Sequence, residues 1–279
     1  MLPMQDQSVR GLSRANATPR PPAGTPDPTY SMSELFGLTR DVVKTRYALR
    51  TPSGFVTSTL PDWAGAVCIV QISPEMGSRF CQVLIKLEPA SEGKGNTGRN
   101  EHFLFVLAGG CSASLGGMTR TLTGGSYAYL PPDTDFRFYA AAPGTQLLVF
   151  QKAYQRVKGI KEPGPINGHE GTVAGKPFLG NHDARLQVLL PEALEFDMAV
   201  NIFTYQPGAT LPFVETHIME HGLLMLKGQG VYRLDTDYHP VQAGDVIWMA
   251  AYCPQWFVAM GKTPAAYIYY KDVNRDPMS

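Results

Sequence analysis

Gly208-Ala-Thr-Leu-Pro-Phe-Val-Glu215-Thr-His217-Ile-Met-Glu-His221-Gly-Leu-Leu-Met-Leu-Lys-Gly228 is the stretch on which the fold turns. Glu215 and His217 are two residues apart, which on a β-strand puts both side chains on one face. His221 follows, and a glycine closes the segment. Two imidazoles and one carboxylate converging from a β context are what a divalent metal ion needs. Gly244 opens a later segment that carries Pro254-Gln255.

Working outward, the same pattern occurs earlier in degenerate form. Glu101-His102-Phe-Leu-Phe-Val-Leu-Ala-Gly109 parallels Glu220-His221-Gly-Leu-Leu-Met-Leu-Lys-Gly228 at an offset of 119 residues (220 − 101). Thr123-Gly124-Gly125 parallels Ala243-Gly244-Asp245, with the offset slipping by about one. Such self-similarity marks a duplicated unit. Each copy reads as short strands broken by Gly and Pro: Val83–Leu87, Phe103–Leu107, Tyr127–Leu130, Phe136–Tyr139 and Leu147–Gln151. Pro191–Glu195 is at most a short helix. The economical reading is all-β: two tandem jelly-roll barrels. It gives a Pro-rich arm over 1–35, a first barrel over 36–157, a linker over 158–180 and a second barrel over 181–279. In the first copy, Asn96 and Gly98 stand opposite Glu215 and His217, and the counterpart of Gln255 falls near Asp133 to Asp135. The first barrel therefore keeps one imidazole, His102, expected as a hydrogen-bonded structural residue, and serves as a scaffold.

The Gly…Glu-x-His-x3-His…Gln arrangement resembles the metal signature of the cupin superfamily with its ligand types permuted. In that form it is similar to the (S)-ureidoglycine aminohydrolases, a bicupin family. Phe196-Asp197-Met198, Val214-Glu-Thr-His217, Glu220-His-Gly222, Gly228-Gln-Gly-Val-Tyr232 and the ending Tyr267-Ile-Tyr-Tyr-Lys271-Asp-Val-Asn-Arg-Asp276 carry the resemblance, which spans about residues 40 to 276. It implies a metal held by Glu215, His217, His221 and Gln255. Two nitrogens and two hard oxygens without a thiolate favour an octahedral ion such as Mn²⁺ over Zn²⁺. Four protein ligands on an octahedron leave two adjacent positions for a bidentate molecule bearing a carboxylate and an α-heteroatom. The implied activity is hydrolytic deamination of (S)-ureidoglycine to (S)-ureidoglycolate and ammonia in purine catabolism. By the same resemblance Tyr232, Tyr267 and Lys271 contact the substrate; Glu215 is expected to contact it as well, and Lys271 and Glu215 are expected to handle protons. Residues 267, 269 and 271 share one strand face, and a lysine turned into a barrel is costly unless it meets an anion. Glu220 has opposite parity to the ligands and is expected to be structural. His169, His182 and His239 are expected in solvent.

Composition narrows the alternatives. Of 279 residues, 24 are Lys or Arg and 24 are Asp or Glu, a formal net charge of zero that points to neither nucleic acid nor an anionic membrane. The charged fraction of 17%, below the roughly 25% of an average chain, suits a homo-oligomer. Cys68, Cys81, Cys111 and Cys253 form no Cys-x-x-Cys pair and read as reduced thiols of a cytoplasmic protein. No run of apolar residues is long enough for a membrane helix. The N-terminal arm lacks a secretory h-region; a transit-like peptide is its alternative reading. Two other functions use the same motif: a non-haem metal dioxygenase, since two His and a carboxylate also make a facial triad, and a non-enzymatic ligand-binding bicupin.

Overall fold

Strands account for every regular element longer than three residues in the computed structural model, which describes residues 39–276. The arm expected over 1–35 lies outside the described residues. Pro191–Glu195 contains no helix. No helix is long and apolar enough to cross a membrane among the described residues.

The all-β expectation holds, as four antiparallel sheets. In the first half a six-stranded sheet runs Ile166–His169, Ser126–Leu130, Asn100–Ala108, Thr145–Ala153, Cys81–Leu87, Val67–Ile72. It shares a core with a five-stranded sheet of Trp63–Ala64, Glu92–Asn96, Asp135–Tyr139, Gly110–Leu115 and Met118–Thr123. In the second half an eight-stranded sheet runs Val42–Val43, Tyr47–Arg50, Val246–Met249, His221–Lys227, Ala265–Asp272, Met198–Tyr205, Asn181–Val188, Lys176–Phe178. It shares its core with a three-stranded sheet of Asp237–Gln242, Gln229–Leu234 and Gln255–Met260.

A third core lies between the two large sheets. Along Ala265–Asp272, Tyr267 packs inside the second barrel, while Ile268 and Tyr270 pack outward against Phe80 and Phe150 of the first half. Along Asn100–Ala108, Leu104 and Val106 face the first barrel and Phe103 and Phe105 face the third core. Both faces of these strands are buried, so they read as near-continuous apolar runs. Each such side chain contributes roughly 1.5–3 kcal/mol on burial. Gly222 lies where the halves approach closely: a Cβ there would lie 2.3 Å from the Phe80 ring.

Strand pairing departs from the sequential partition in three places, the simplest being Lys176–Phe178 of the expected linker, which joins the second half by pairing with Asn181–Val188. Tyr47–Arg50, within the segment assigned to the first barrel, pairs with Val246–Met249 of the second half, and Ile166–His169, within the expected linker, pairs with Ser126–Leu130 of the first. Each half thus takes a strand from the segment that precedes or follows the other barrel. Local patterning is silent about such an exchange, because ladder bonds are made by backbone groups that nearly every residue carries, and Ile166–His169, Ile-Asn-Gly-His, buries none of its side chains fully.

The register also corrects the alignment of the repeat. His102 pairs with Leu130 as His221 pairs with Met249, and Gly125 N donates to Val106 O as Gly244 N donates to Met225 O. Both relations keep the offset of 119 without a slip. Leu115 opposite Phe136 becomes Leu234 opposite Gln255, so the counterpart of Gln255 is Phe136 rather than a residue in 133–135.

Candidate active site

Pro212 has no N–H to donate, and the chain after it pairs only sparsely. Leu211 N donates to Phe257 O, and Glu215 makes an isolated antiparallel bridge with Gln255, N to O 2.8 Å and O to N 2.9 Å. His217 lies beyond the bridge in irregular backbone, pinned where Tyr252 N donates to its carbonyl at 2.7 Å. The expectation of one strand face carrying both Glu215 and His217 therefore fails. The outcome it was meant to explain survives: Glu215, His217, His221, Tyr232, Gln255, Tyr267 and Lys271 all line one cavity of about 290 Å³.

The imidazoles are arranged as metal ligands are. His217 Nδ1 lies 3.1 Å from Met219 O, and His221 Nδ1 lies 3.3 Å from Tyr270 O. A carbonyl can only accept, so each Nδ1 carries the proton and each Nε2 is left with a lone pair. The two Nε2 atoms stand 3.1 Å apart, and the Gln255 amide nitrogen, a donor, lies 3.0 Å from the His217 one. Two lone pairs at that distance repel, and a cation shared between them turns the repulsion into coordination. Tyr232 OH donates to Gln255 Oε1 at 3.4 Å. Among the described residues no three His, Cys, Asp or Glu side chains form a cage by themselves. Glu215 therefore shares the cavity without closing on the imidazole pair. The donor set fits a divalent cation: two neutral imidazoles, an amide and a carboxylate, with no thiol.

The electrostatics agree. Burial lowers the pKa of His217 and holds His221 well below its ordinary value, with the Lys271 cation acting in the same direction on both. Neutral imidazole is the ligating form. Burial raises the Glu215 carboxyl and Lys271 opposes the rise. Lys271 itself makes no salt bridge among the described residues, so a half-buried cation faces the cavity with room for an anionic substrate group. Glu220 behaves as expected: its buried carboxylate accepts from Arg79 N, Arg79 Nε and Trp248 Nε1, outside the cavity.

Sequence reasoning missed several wall residues. Tyr269 lines the cavity between Tyr267 and Lys271, and strand parity was the signal that could have found it. Glu192, Met219 and Phe178 also line it, from loops and a short strand to which no periodicity points. Of the histidines expected in solvent, His182 is exposed, whereas His239 is half-buried on a strand with Nε2 3.0 Å from Tyr47 OH. His169 accepts from Gly171 N and sits 3.0 Å from Gly124 O. His102 has its ring against Phe136, centroids 5.7 Å apart, in place of the hydrogen bond anticipated for it among the described residues.

The first-half counterpart of the site is filled. Where the second half has Tyr267, Tyr269 and Lys271 opposite Met225, Leu223 and His221, the first has Leu147, Val149 and Gln151 opposite Val106, Leu104 and His102. Trp63 stacks on Phe136 and Phe138 in its interior.

The chain is similar to known proteins. A cupin-domain family model matches residues 201–270. A probable (S)-ureidoglycine aminohydrolase of Oryza sativa subsp. japonica is 40% identical over 250 residues, covering 88% of this chain and 79% of its own. The (S)-ureidoglycine aminohydrolase of Arabidopsis thaliana is 37% identical over 264 residues, covering 90% and 85%. The crystal structure of protein Ylba from E. coli superposes with a TM-score of 0.76 at 33% identity, over 86% of this chain and 96% of that one.

Proposed function

The chain belongs to the (S)-ureidoglycine aminohydrolase family, and from that premise we propose that it hydrolytically deaminates (S)-ureidoglycine to (S)-ureidoglycolate and ammonia in purine catabolism, with Mn²⁺ as its metal. The observation that carries this reading is the cavity in which His217 and His221 present facing Nε2 lone pairs, 3.1 Å apart, beside an unpaired Lys271. Glu215, His217, His221 and Gln255 would hold the ion. When bound, it supplies positive charge that anchors an anionic substrate and fixes its chiral carbon.

The remaining work falls to the chain's own side chains. Lys271 Nζ pairs with the substrate carboxylate and passes a proton to the departing amine. Tyr232 and Tyr267 orient the ureido group. Loss of ammonia breaks the C–N bond and, with the ureido N–H retained, leaves an electrophilic acyliminium-like carbon; water adds to one face of it as the C=N bond becomes single. A Glu215 oxygen is the group in the cavity suited to take the proton that water gives up. The four cysteines are free thiols, which supports a cytoplasmic enzyme, and the low charged fraction supports a homo-oligomer.

The test is ammonia release from freshly prepared ureidoglycine by the Mn²⁺-loaded protein, with the chirality of the ureidoglycolate read alongside. Stoichiometric ammonia and the S product support the proposal. Oxygen uptake without ammonia would instead mark an oxidative enzyme. Inertness in both assays would leave a binding protein.

A further inference from the structure

Tyr269 is a cavity-lining side chain that neither the motif nor the proposed mechanism uses. Its strand places it between Tyr267 and Lys271 on the inward face, and its ring meets that of His221 edge-on, centroids 5.5 Å apart at 70°. It therefore stands at the imidazole end of the cavity. Asn201, directly opposite Tyr269 on the neighbouring strand, donates from Nδ2 to the Tyr269 hydroxyl oxygen at 3.1 Å. Asn201 is 1% exposed, and its Oδ1 has no partner among the described residues. A buried amide acceptor left unpaired is costly, and the one bond the side chain makes is to this hydroxyl. That bond has a directional consequence. The tyrosine oxygen is engaged as an acceptor, so its own hydrogen is free to point into the cavity.

We infer that Tyr269 is a substrate-contacting residue whose hydroxyl donates a hydrogen bond to the substrate carboxylate, and that Asn201 is the positioning residue that turns its proton toward the cavity. The inference deepens the proposed function and rests on it. Lys271, two residues along the same face, contributes charge to that carboxylate; Tyr269 contributes direction. Rotating the Asn201 amide by half a turn would make Tyr269 the donor to Asn201 and aim its proton away from the site. Asn201→Asp, whose ionised carboxylate can only accept, enforces that reversed arrangement.

The experiment uses the Mn²⁺-loaded full chain and N-carbamoylglycine, which keeps the carboxylate and ureido groups and lacks the amine. Its binding is followed by titration calorimetry, with kcat and KM measured for ureidoglycine. Tyr269→Phe is expected to weaken N-carbamoylglycine binding and raise KM by roughly tenfold to a hundredfold, the range for one hydrogen bond to a charged group. Metal content should be unchanged and kcat should fall by much less than KM rises. Asn201→Asp should reproduce the loss, Asn201→Ala should give part of it, and neither should add to it in the Tyr269→Phe background. A purely structural asparagine would add its loss in both backgrounds, which would overturn its positioning role. Parental affinity in Tyr269→Phe overturns the contact itself while leaving the proposed function standing. A parent protein that neither releases ammonia nor binds N-carbamoylglycine brings down both.

Discussion

His217 and His102 show how one residue type takes opposite roles in two copies of one motif. His217 is oriented by a carbonyl at Nδ1 and faces a second imidazole. His102 sits against Phe136, and burial lowers its pKa to about 4. His217→Ala should abolish tight metal binding, because one imidazole of the facing pair is gone. His102→Ala should keep one metal per chain and lose roughly 2 kcal/mol or more of stability from the cavity it leaves. Elemental analysis checks both, and two metals per chain in the parent would refute a filled first barrel. Lys271→Met keeps the length of the side chain and removes its charge. It should retain the metal and the fold and reduce turnover about 10²-fold or more, the low end for a positioned acid–base group. A steady-state rate near that of the parent would remove Lys271 from the mechanism.

Strand-to-strand connections hold the repeat in register. Gly228, after the His221–Lys227 strand, has φ 73°, and a Cβ there would lie 2.6 Å from Ala265 Cα. Gly109 repeats the arrangement with φ 70° against Thr145. Gly117 also has positive φ, 81°, but its Cβ would meet open space. Gly228→Ala should therefore cost roughly 2–4 kcal/mol, from backbone strain plus displacement of the neighbouring strand, and Gly117→Ala only about 1 kcal/mol from strain. Urea midpoints of the two variants give the comparison. Equal shifts would mean that the strand carrying Tyr267 and Lys271 yields easily at Ala265.

Across the whole molecule the halves are tied by a buried charged cluster. Lys152 Nζ lies 2.6 Å from Asp197 Oδ2 and 3.4 Å from Glu101 Oε1, and Tyr129 OH donates to Glu101 Oε2 at 2.7 Å. Two carboxyls share one cation, and the Glu101 pKa is raised well above its ordinary value, first by burial and then by Asp197. Asp197 Oδ1 has no other partner, so a protonated Glu101 has an acceptor there. A raised carboxyl keeps its proton in the folded chain after the unfolded chain has lost it. Its contribution is complete below the unfolded value near 4.3 and is lost as pH rises through the folded one. Thermal unfolding from pH 5 to 9 should show this decline, and Glu101→Gln, which keeps the acceptor and adds a permanent donor, should flatten it. An unchanged slope in the variant would mean that Glu101 is already ionised.

The sequence by itself determined the all-β duplicated fold and picked out Glu215, His217, His221, Tyr232, Gln255, Tyr267 and Lys271, which share one cavity. These follow from residue type at fixed spacing: turn glycines, apolar runs and ligand side chains are local signals. Tertiary structure decided the rest. The placement of the strands Tyr47–Arg50 and Ile166–His169 depends on which sheet has room beside it, and no residue in either strand specifies that. The true counterpart of Gln255 depended on register, which a single-residue slip obscures. The cavity roles of Tyr269 and Glu192 depended on which surfaces meet. A strand's alternation says that one face is inward, and only the packed fold says whether that face meets another side chain or a space a substrate can fill.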